Sequence, residues 1–298
     1  MTRGEGAVLT LALVSCLLPR AAPAQGVASG TDSAPPRGVE ILPVGYMFTP
    51  LIADLKEPQF QASYLATDSP VLDPRVGAIG LGETFGLVRW PGRRPGDGWQ
   101  IDLAGGVFAQ FEIGRESTDL VNADYVVGLP ITYRHGRTSV RLSPHHQSSH
   151  LGDEYLLREN PERLNVSFDG IQLLVSRDVE DWRLYVGGDY VFVHAPQPLK
   201  DGVYQAGVEY RRHKPLFSAG VREAARVVAA LDVQSWQEGQ WELSWSVRAG
   251  IELGPPGPAH QGLGRTWSLL LEFFDGPTPF GQFYTEPISY FALGLHFR

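Results

Sequence analysis

The chain has 298 residues, a formal net charge of −8, 43% hydrophobic residues and 19% charged residues. The acidic balance and the lack of any basic run argue against a nucleic-acid partner. Beyond the first residues the sequence has no stretch of about 18 apolar residues, so it predicts no transmembrane helix.

The first residues have the pattern of an export signal. Arg3 supplies a positive charge, residues 7–18 form a short apolar core, and Ala22-Pro23-Ala24 is a small-residue cleavage pattern. Residues 1–24 are therefore predicted to be a signal peptide. An alternative is that residues 13–16 (LVSC) form a lipobox, which would make Cys16, the single cysteine, an acylated N-terminus.

Residues 25–58 do not have the pattern of a regular element. Their first part is small, polar and rich in proline, which is typical of a linker. We expect residues 25–58 to be a periplasmic N-terminal linker or plug segment, and residues 59–298 to form one domain.

Period-two alternation of apolar and polar residues dominates the chain after residue 59, and this is the pattern of β-strands. In 99–113 the odd positions are mostly apolar and the even positions mostly polar, and 241–253 behaves in the same way. The runs with this character are 59–66, 76–90, 98–113, 122–135, 137–147, 163–177, 181–195, 202–213, 224–237, 240–254, 264–275 and 286–298.

The length of these runs favours an all-β protein whose strands cross a membrane. Soluble strands are usually about 5–6 residues long, whereas a tilted strand needs about 9–11 residues to cross a bilayer. The polar face carries charges of both signs within the strands: Glu83, Asp102, Asp124, Arg134, Arg141, Asp169, Arg183, Asp189, Asp232, Arg248 and Glu272. The sequence therefore predicts a roughly 12-stranded antiparallel outer-membrane β-barrel.

Aromatic residues near the strand ends support a bilayer, because amphipathic rings prefer its interfaces. The tryptophans in question are Trp90, Trp99, Trp182, Trp236, Trp241 and Trp267. The alternative is a large lipocalin-like barrel or a sandwich that is soluble. An even strand number would place both ends of the barrel domain on the periplasmic side.

One polar stretch, RLSPHHQSSHLGDEYLLREN at 141–160, follows the fifth predicted strand. The strand count places it at the outer, cell-exterior end of the barrel. Side chains two positions apart share a face of a strand. Since Val140 and Leu142 are apolar, His146 and Ser148 are predicted to face lipid, and a bulge at Pro144 would invert this assignment.

A histidine beside a serine on one face is a candidate base and nucleophile for ester hydrolysis. His146-Gln147-Ser148 resembles an element of the outer-membrane phospholipase A family, twelve-stranded barrels whose catalytic pair faces lipid. The resemblance implies that an Asn twelve residues after the serine orients the histidine, which corresponds to Asn160; Asn165 is the alternative. The outer-membrane lipid A deacylases have a similar His-x-Ser with an acidic partner. The chain departs from both families by continuing Ser148-Ser149-His150.

A wider resemblance covers most of the chain. The segments PVGYMFTPLIADLKEP at 43–58, HQSSHLGDEY at 146–155 and RLNVS at 163–167 resemble the bacterial family of domain of unknown function 1207. That resemblance implies an exported barrel and no known activity.

Two function classes remain open from the sequence. One is a non-catalytic channel or binding barrel whose His/Ser/Asp/Glu-rich mouth is structural; the other is a surface-facing lipid-ester hydrolase. Asp153 and Glu154 are adjacent oxygen donors on a predicted loop, which makes them a candidate calcium site that the phospholipase resemblance also suggests. The expected partners are outer-membrane lipids and the barrel-assembly machinery, and the oligomeric state stays open.

Overall fold

A computed structural model describes residues 38–115, 117–161, 166–195, 200–218, 224–255 and 265–298. The expected signal peptide and Cys16 lie outside the described residues. The strands and the helix are β1 (Glu40–Ile41), β2 (Phe60–Asp68), β3 (Arg75–Pro91), β4 (Gly98–Glu112), β5 (Asp119–Gly128), β6 (Ile131–His135), β7 (Thr138–Leu151), α1 (Asp153–Glu159), β8 (Val166–Val179), β9 (Trp182–Ala195), β10 (Gly202–Arg211), β11 (Phe217–Ser218), β12 (Ala224–Trp236), β13 (Leu243–Gly254), β14 (Trp267–Pro277) and β15 (Pro287–Phe297).

The strands form one closed antiparallel barrel. Neighbours in sequence pair with each other from β2 onward, and β15 pairs with β2 to close the ring. β5 and β6 are two halves of one spanning strand, because both pair with β4 and β7 and only Leu129 and Pro130 separate them. Without the short β1 and β11, the barrel has twelve spanning strands, which confirms the predicted fold class. Among the described residues no helix is long and apolar enough to cross a bilayer.

We call the end that holds Phe60 and Phe297 the lower end of the barrel, and the end that holds α1 the upper end. At the lower end Trp99 packs against Tyr133 with ring centroids 4.6 Å apart, and the Trp267 ring lies 4.5 Å from that of Phe297. At the upper end Trp241 stacks on Tyr204 at 5.2 Å. The two aromatic levels flank an exposed apolar belt, the arrangement that membrane barrels use at the bilayer interfaces.

The inward and outward assignment of two residues differs from the sequence prediction. Trp236 was expected among the interfacial aromatics, but its ring lies inside the barrel, edge-on to Phe168 at 6.4 Å. Asp169 was expected on the inner, charged face, but it is 41% exposed on the outer face. The cause is visible in β8, where Ile171 and Leu173 point outward and Asp169 is in phase with them.

Charged pairs inside the barrel neutralise each other. Arg248 donates from Nε to Glu272 at 2.9 Å, and both side chains are at most 4% exposed. Ser63 and His296 also hydrogen-bond the Glu272 carboxylate, at 2.6 and 3.1 Å. Because a buried charge is costly unless it is paired and hydrogen-bonded, this network accounts for polar side chains deep within strands.

The segment before β2 runs through the barrel lumen, and we call residues 43–58 the luminal segment. Its residues Met47 to Asp54 are all buried. Two inward-pointing arginines bind its backbone: Arg183 donates to the carbonyl of Thr49 at 2.6 Å, and Arg248 to that of Ile52 at 2.9 Å. The barrel thus supplies donors for a stretch of chain that has no ladder of its own.

Side chains of the luminal segment are also fixed by the wall. Glu57 forms an ion pair with Arg141 at 2.8 Å, and the Lys56 ammonium pairs with the fully buried Asp124. Phe48 lies between two guanidinium groups, since Arg141 is 4.5 Å and Arg183 is 4.4 Å from its ring centroid. Cation–π contacts of this kind are strongest away from water.

The upper end differs from the predicted loop after β7. Asp153 and Glu154 form the first turn of α1, where their charges suit the positive end of the helix dipole, so they do not lie on a loop. Tyr155 is the buried residue of this helix and packs edge-on against Phe283 at 5.6 Å. Phe283 closes a 3₁₀ turn at residues 281–283, so α1 and this turn cover part of the barrel mouth.

Candidate lipid-facing site

β7 separates its polar side chains onto the two faces of the barrel wall. Its pairing with β8 runs from Thr138 to Ser149 without a register shift, so Pro144 introduces no bulge there. His146 and His150 are exposed on the outer face, with Ser148 between them, and His145 and Gln147 point inward. The sequence prediction that His146 and Ser148 share the outer face agrees with this geometry.

An acidic partner for His146 comes from the neighbouring strand. His146 and Asp169 are directly opposite each other in the β7–β8 ladder, and His146 Nδ1 lies 2.6 Å from Asp169 Oδ1. The two side chains are 47% and 41% exposed, both on the outer face of the wall. A charged side chain on the lipid face destabilises a barrel, and the cost increases toward the bilayer midplane. The packing of the barrel wall therefore gives no reason for His146 and Asp169 to pair at this position.

The hydrogen bond to Asp169 determines which ring nitrogen is available for chemistry. With Nδ1–H donated to the carboxylate, a neutral imidazole leaves Nε2 unprotonated and able to accept a proton. Ser148 lies two residues along the same face, opposite Tyr125 on β5 and Ser167 on β8. Its hydroxyl forms no hydrogen bond with any described residue, so it is not engaged in holding the fold.

Asn160, the first asparagine considered from the sequence, lies away from His146. Asn160 is the C-cap of α1. Its backbone is left-handed (φ 46°), and its N–H donates to the carbonyl oxygen of Leu156. Its cap role is structural, since asparagine tolerates this conformation. Asn165 lies outside the described residues. Within the described chain, the group that holds the His146 ring is Asp169.

The calcium candidates do not fit a site by themselves. Calcium takes about 6–8 oxygen ligands, and Asp153 and Glu154 are two exposed carboxylates at the start of α1. No cluster of three or more His, Cys, Asp or Glu side chains with metal-binding geometry occurs in the part of the chain that the structure describes. We therefore derive no chemical step through calcium.

Asp169 is the site residue that the sequence reasoning assigned to the wrong face. The signal that identifies it is the outward phase of Ile171, Leu173 and Val175 on the same strand. Asp169 lies two residues before Ile171 and therefore points to the same, lipid-facing side, where an isolated acidic side chain is unexpected.

A closed twelve-stranded antiparallel barrel with an apolar outer belt and aromatic levels defines the class: this is an outer-membrane β-barrel protein. Residues 20–298 match the family model described as "Protein of unknown function (DUF1207)", and the chain belongs to that family.

Two solved structures have a similar fold. Outer membrane phospholipase A from Escherichia coli superposes with a TM-score of 0.54 at 14% identity, over 82% of this chain and 93% of that chain. The Salmonella typhi outer membrane phospholipase dimer with bound calcium gives 0.53 and 14%, over 81% and 92%. At this identity the likeness concerns the fold alone. No curated protein sequence matches the chain.

Proposed function

We propose that this protein is a lipid-ester hydrolase whose site lies on the outer wall of the barrel. The observation that carries the proposal is the hydrogen bond of 2.6 Å between His146 Nδ1 and Asp169 Oδ1, on the outer face of the wall and two residues before Ser148 on β7. Ser148 is the nucleophile, His146 the general base, and Asp169 the group that fixes the histidine tautomer. The fold that the barrel shares with outer membrane phospholipase A is consistent with this assignment.

The reaction uses the three side chains in sequence. Nε2 of His146 takes the Ser148 hydroxyl proton while Oγ attacks the ester carbonyl carbon, and the tetrahedral adduct collapses with cleavage of the carbon–oxygen bond. His146 returns the proton to the departing alcohol. Water, activated by the same nitrogen, then cleaves the acyl-serine and releases the fatty acid. A site that faces lipid can receive the acyl ester without extracting it from the bilayer.

The alternative of an open channel receives less support from the lumen. The luminal segment crosses the lumen, and its backbone and side chains are tied to the wall by Arg183, Arg248 and the Arg141–Glu57 pair. An open channel would require the luminal segment to leave the lumen.

The test is fatty-acid release from phospholipid–detergent mixed micelles by the refolded full-length protein. Ser148→Ala and His146→Ala should each reduce the rate by about 10³-fold or more, because nucleophile and base act as a unit. Asp169→Asn should reduce it as well, since an amide can donate to Nδ1 and favour the wrong tautomer. His150→Ala is the matched control, a histidine on the same face four residues away, and should retain activity.

Heat-modifiable gel migration should be unchanged in all four variants. Absence of release by the wild type in micelles of both zwitterionic and anionic phospholipid would contradict the proposal. So would equal loss in His150→Ala and His146→Ala.

A further inference from the structure

Two connected cavities lie inside the barrel, above and beside the luminal segment. The upper cavity, of about 90 Å³, extends to the 278–284 turn at the upper end of the barrel. The lower cavity, of about 130 Å³, adjoins it deeper in the lumen. The two cavities adjoin each other, because the same six residues line both: Asp54 and Lys56 of the luminal segment, and Gln147, Phe168, Gln234 and Trp236 of the wall.

Two buried carboxylates border the upper cavity and have no cationic partner. Asp54 and Asp232 are 6% and 2% exposed. Both accept from the same amide, Gln205 Nε2, at 3.1 and 2.8 Å. Asp232 also accepts from Tyr185 Oη at 2.6 Å and from Gln234 Nε2 at 3.0 Å. Among the described residues neither carboxylate forms an ion pair, so an ammonium group that enters the cavity would be their first charged partner and would favour their ionised form.

The lower cavity adds a polar atom without a partner. Asp189 Oδ1 is buried and has no hydrogen-bond partner in the described chain, although Oδ2 lies 3.2 Å from His145 Nε2. Of the basic side chains that line the two cavities, Arg141 is paired with Glu57 and Lys56 with Asp124, whereas the exposed Lys200 borders the upper cavity without an ion pair among the described residues. A buried acceptor that lacks a donor has an uncompensated desolvation cost, which a ligand donor would remove.

Aromatic rings form the other wall of this space. Phe168 and Trp236 meet edge to face at 6.4 Å, and His145 lies edge-on to Phe168 at 6.1 Å. Aromatic faces attract cations through their quadrupole and also cover apolar groups. Unpaired carboxyl groups and aromatic surface therefore occur together in a cavity that the luminal segment borders.

We propose that the lumen is a binding site for a small organic cation with an apolar body, which enters from the upper end of the barrel. Its ammonium group is received by Asp54 and Asp232, and its apolar body lies against Phe168 and Trp236. This site is inside the wall and separate from His146 and Ser148, so it stands independently of the hydrolase proposal.

The test compares ligands of one shape and different charge by isothermal titration calorimetry on the full-length protein in detergent. The probes are 2-phenylethylammonium, 2-phenylethanol and 3-phenylpropionate. The ammonium should bind at least about tenfold more tightly than the alcohol, because only it gains charge complementarity, and the carboxylate should bind most weakly. Equal binding of the ammonium and the alcohol, or no binding of either, would overturn the proposal.

Variants locate the binding. Asp232→Asn should weaken ammonium binding by about tenfold while leaving alcohol binding unchanged. Asp68→Asn, the same change on the exposed end of β2, is the control and should leave both unchanged. Trp236→Leu should weaken both ligands and gives a second readout if Asp232→Asn fails to fold. If Asp232→Asn and Asp68→Asn affect the ammonium equally, or if Trp236→Leu affects neither ligand, the cation does not bind here.

Discussion

The attachment of the luminal segment to the barrel wall can be tested at one ion pair. Glu57 and Arg141 are joined by three N–H···O contacts of 2.8, 3.1 and 3.2 Å, and their side chains are 3% and 11% exposed. The perturbation is Glu57→Gln, which keeps the shape and one acceptor oxygen but removes the charge. Arg141 then remains buried with Gln172 and the Phe48 ring beside it, and its nearest remaining carboxyl groups, Asp54 and Asp102, form no ion pair with it.

The magnitude follows from the cost of an uncompensated buried charge. Removing one partner of a buried ion pair typically costs about 3–5 kcal/mol. Because glutamine retains an acceptor, we expect the lower figure. A change of about 3 kcal/mol in the local opening free energy corresponds to roughly a hundredfold increase in the population of the detached segment.

Amide hydrogen exchange measures that population directly. The N–H of Ile52 donates to Glu209 Oε1 at 2.6 Å and is protected only while the segment is seated. Its exchange should accelerate by about a hundredfold in Glu57→Gln. The control is Glu40→Gln, in which the lost pair with Arg89 is long, 3.5 Å, and more exposed, so a change of less than about 1 kcal/mol is expected.

Equal exchange rates in the two variants would refute the reasoning, since the buried and the exposed pair would then contribute alike. The double variant Glu57→Gln/Arg141→Met supplies a second check. Removing both charges should restore most of the protection, because the cost lies in the unpaired guanidinium. Additive effects would show that the pair does not hold the segment.

Three further outcomes are expected. Burial raises the pKa of Asp54, so the seated luminal segment should lose stability as the pH rises above about 4, the ordinary pKa of an aspartate. Amide hydrogen exchange of the segment, measured as a function of pH, should lose this dependence in Asp54→Asn. Gly187→Ala should impair refolding, measured by heat-modifiable migration, because an added Cβ would clash with the backbone carbonyl oxygen of Leu173. Arg248→Ala should destabilise the barrel by about 3–5 kcal/mol in denaturant unfolding, since it strands the buried Glu272 carboxylate.

Most of the barrel wall is predictable because its pattern is local. Each spanning strand alternates between lipid and lumen, so 99–113 and 241–253 could be assigned to faces from the residues alone. The predicted run 122–135 is interrupted near Pro130, which lacks an N–H for the ladder, yet both halves keep the same neighbours. The errors at Trp236 and Asp169 arose where residue type was given more weight than phase.

The luminal segment was less predictable, for a physical reason. Residues 43–58 have no period of two or 3.6, and their partners are distant in the chain: Arg183 lies 134 positions from Thr49, and Arg248 lies 196 from Ile52. The same holds for the candidate site. The spacing of His146 and Ser148 is visible in the sequence, but the pairing with Asp169 depends on the register between β7 and β8, and these strands are joined through α1 and not by a tight turn that would set it.

The seating of the luminal segment also has a kinetic implication. Arg298 donates to the carbonyls of Pro50 and Leu51, and the separation in sequence reaches 248 positions. These bonds form only when β15 has reached β2. Closure of the barrel and binding of the luminal segment are therefore expected to occur together, late in folding. Contacts between residues so far apart in the sequence slow folding, because the chain loses the entropy of closing a long loop before the contacts stabilise it. Because the pairing of β15 with β2 has a comparable sequence separation, we expect a barrel that lacks these bonds to close at a similar rate but around a solvated interior.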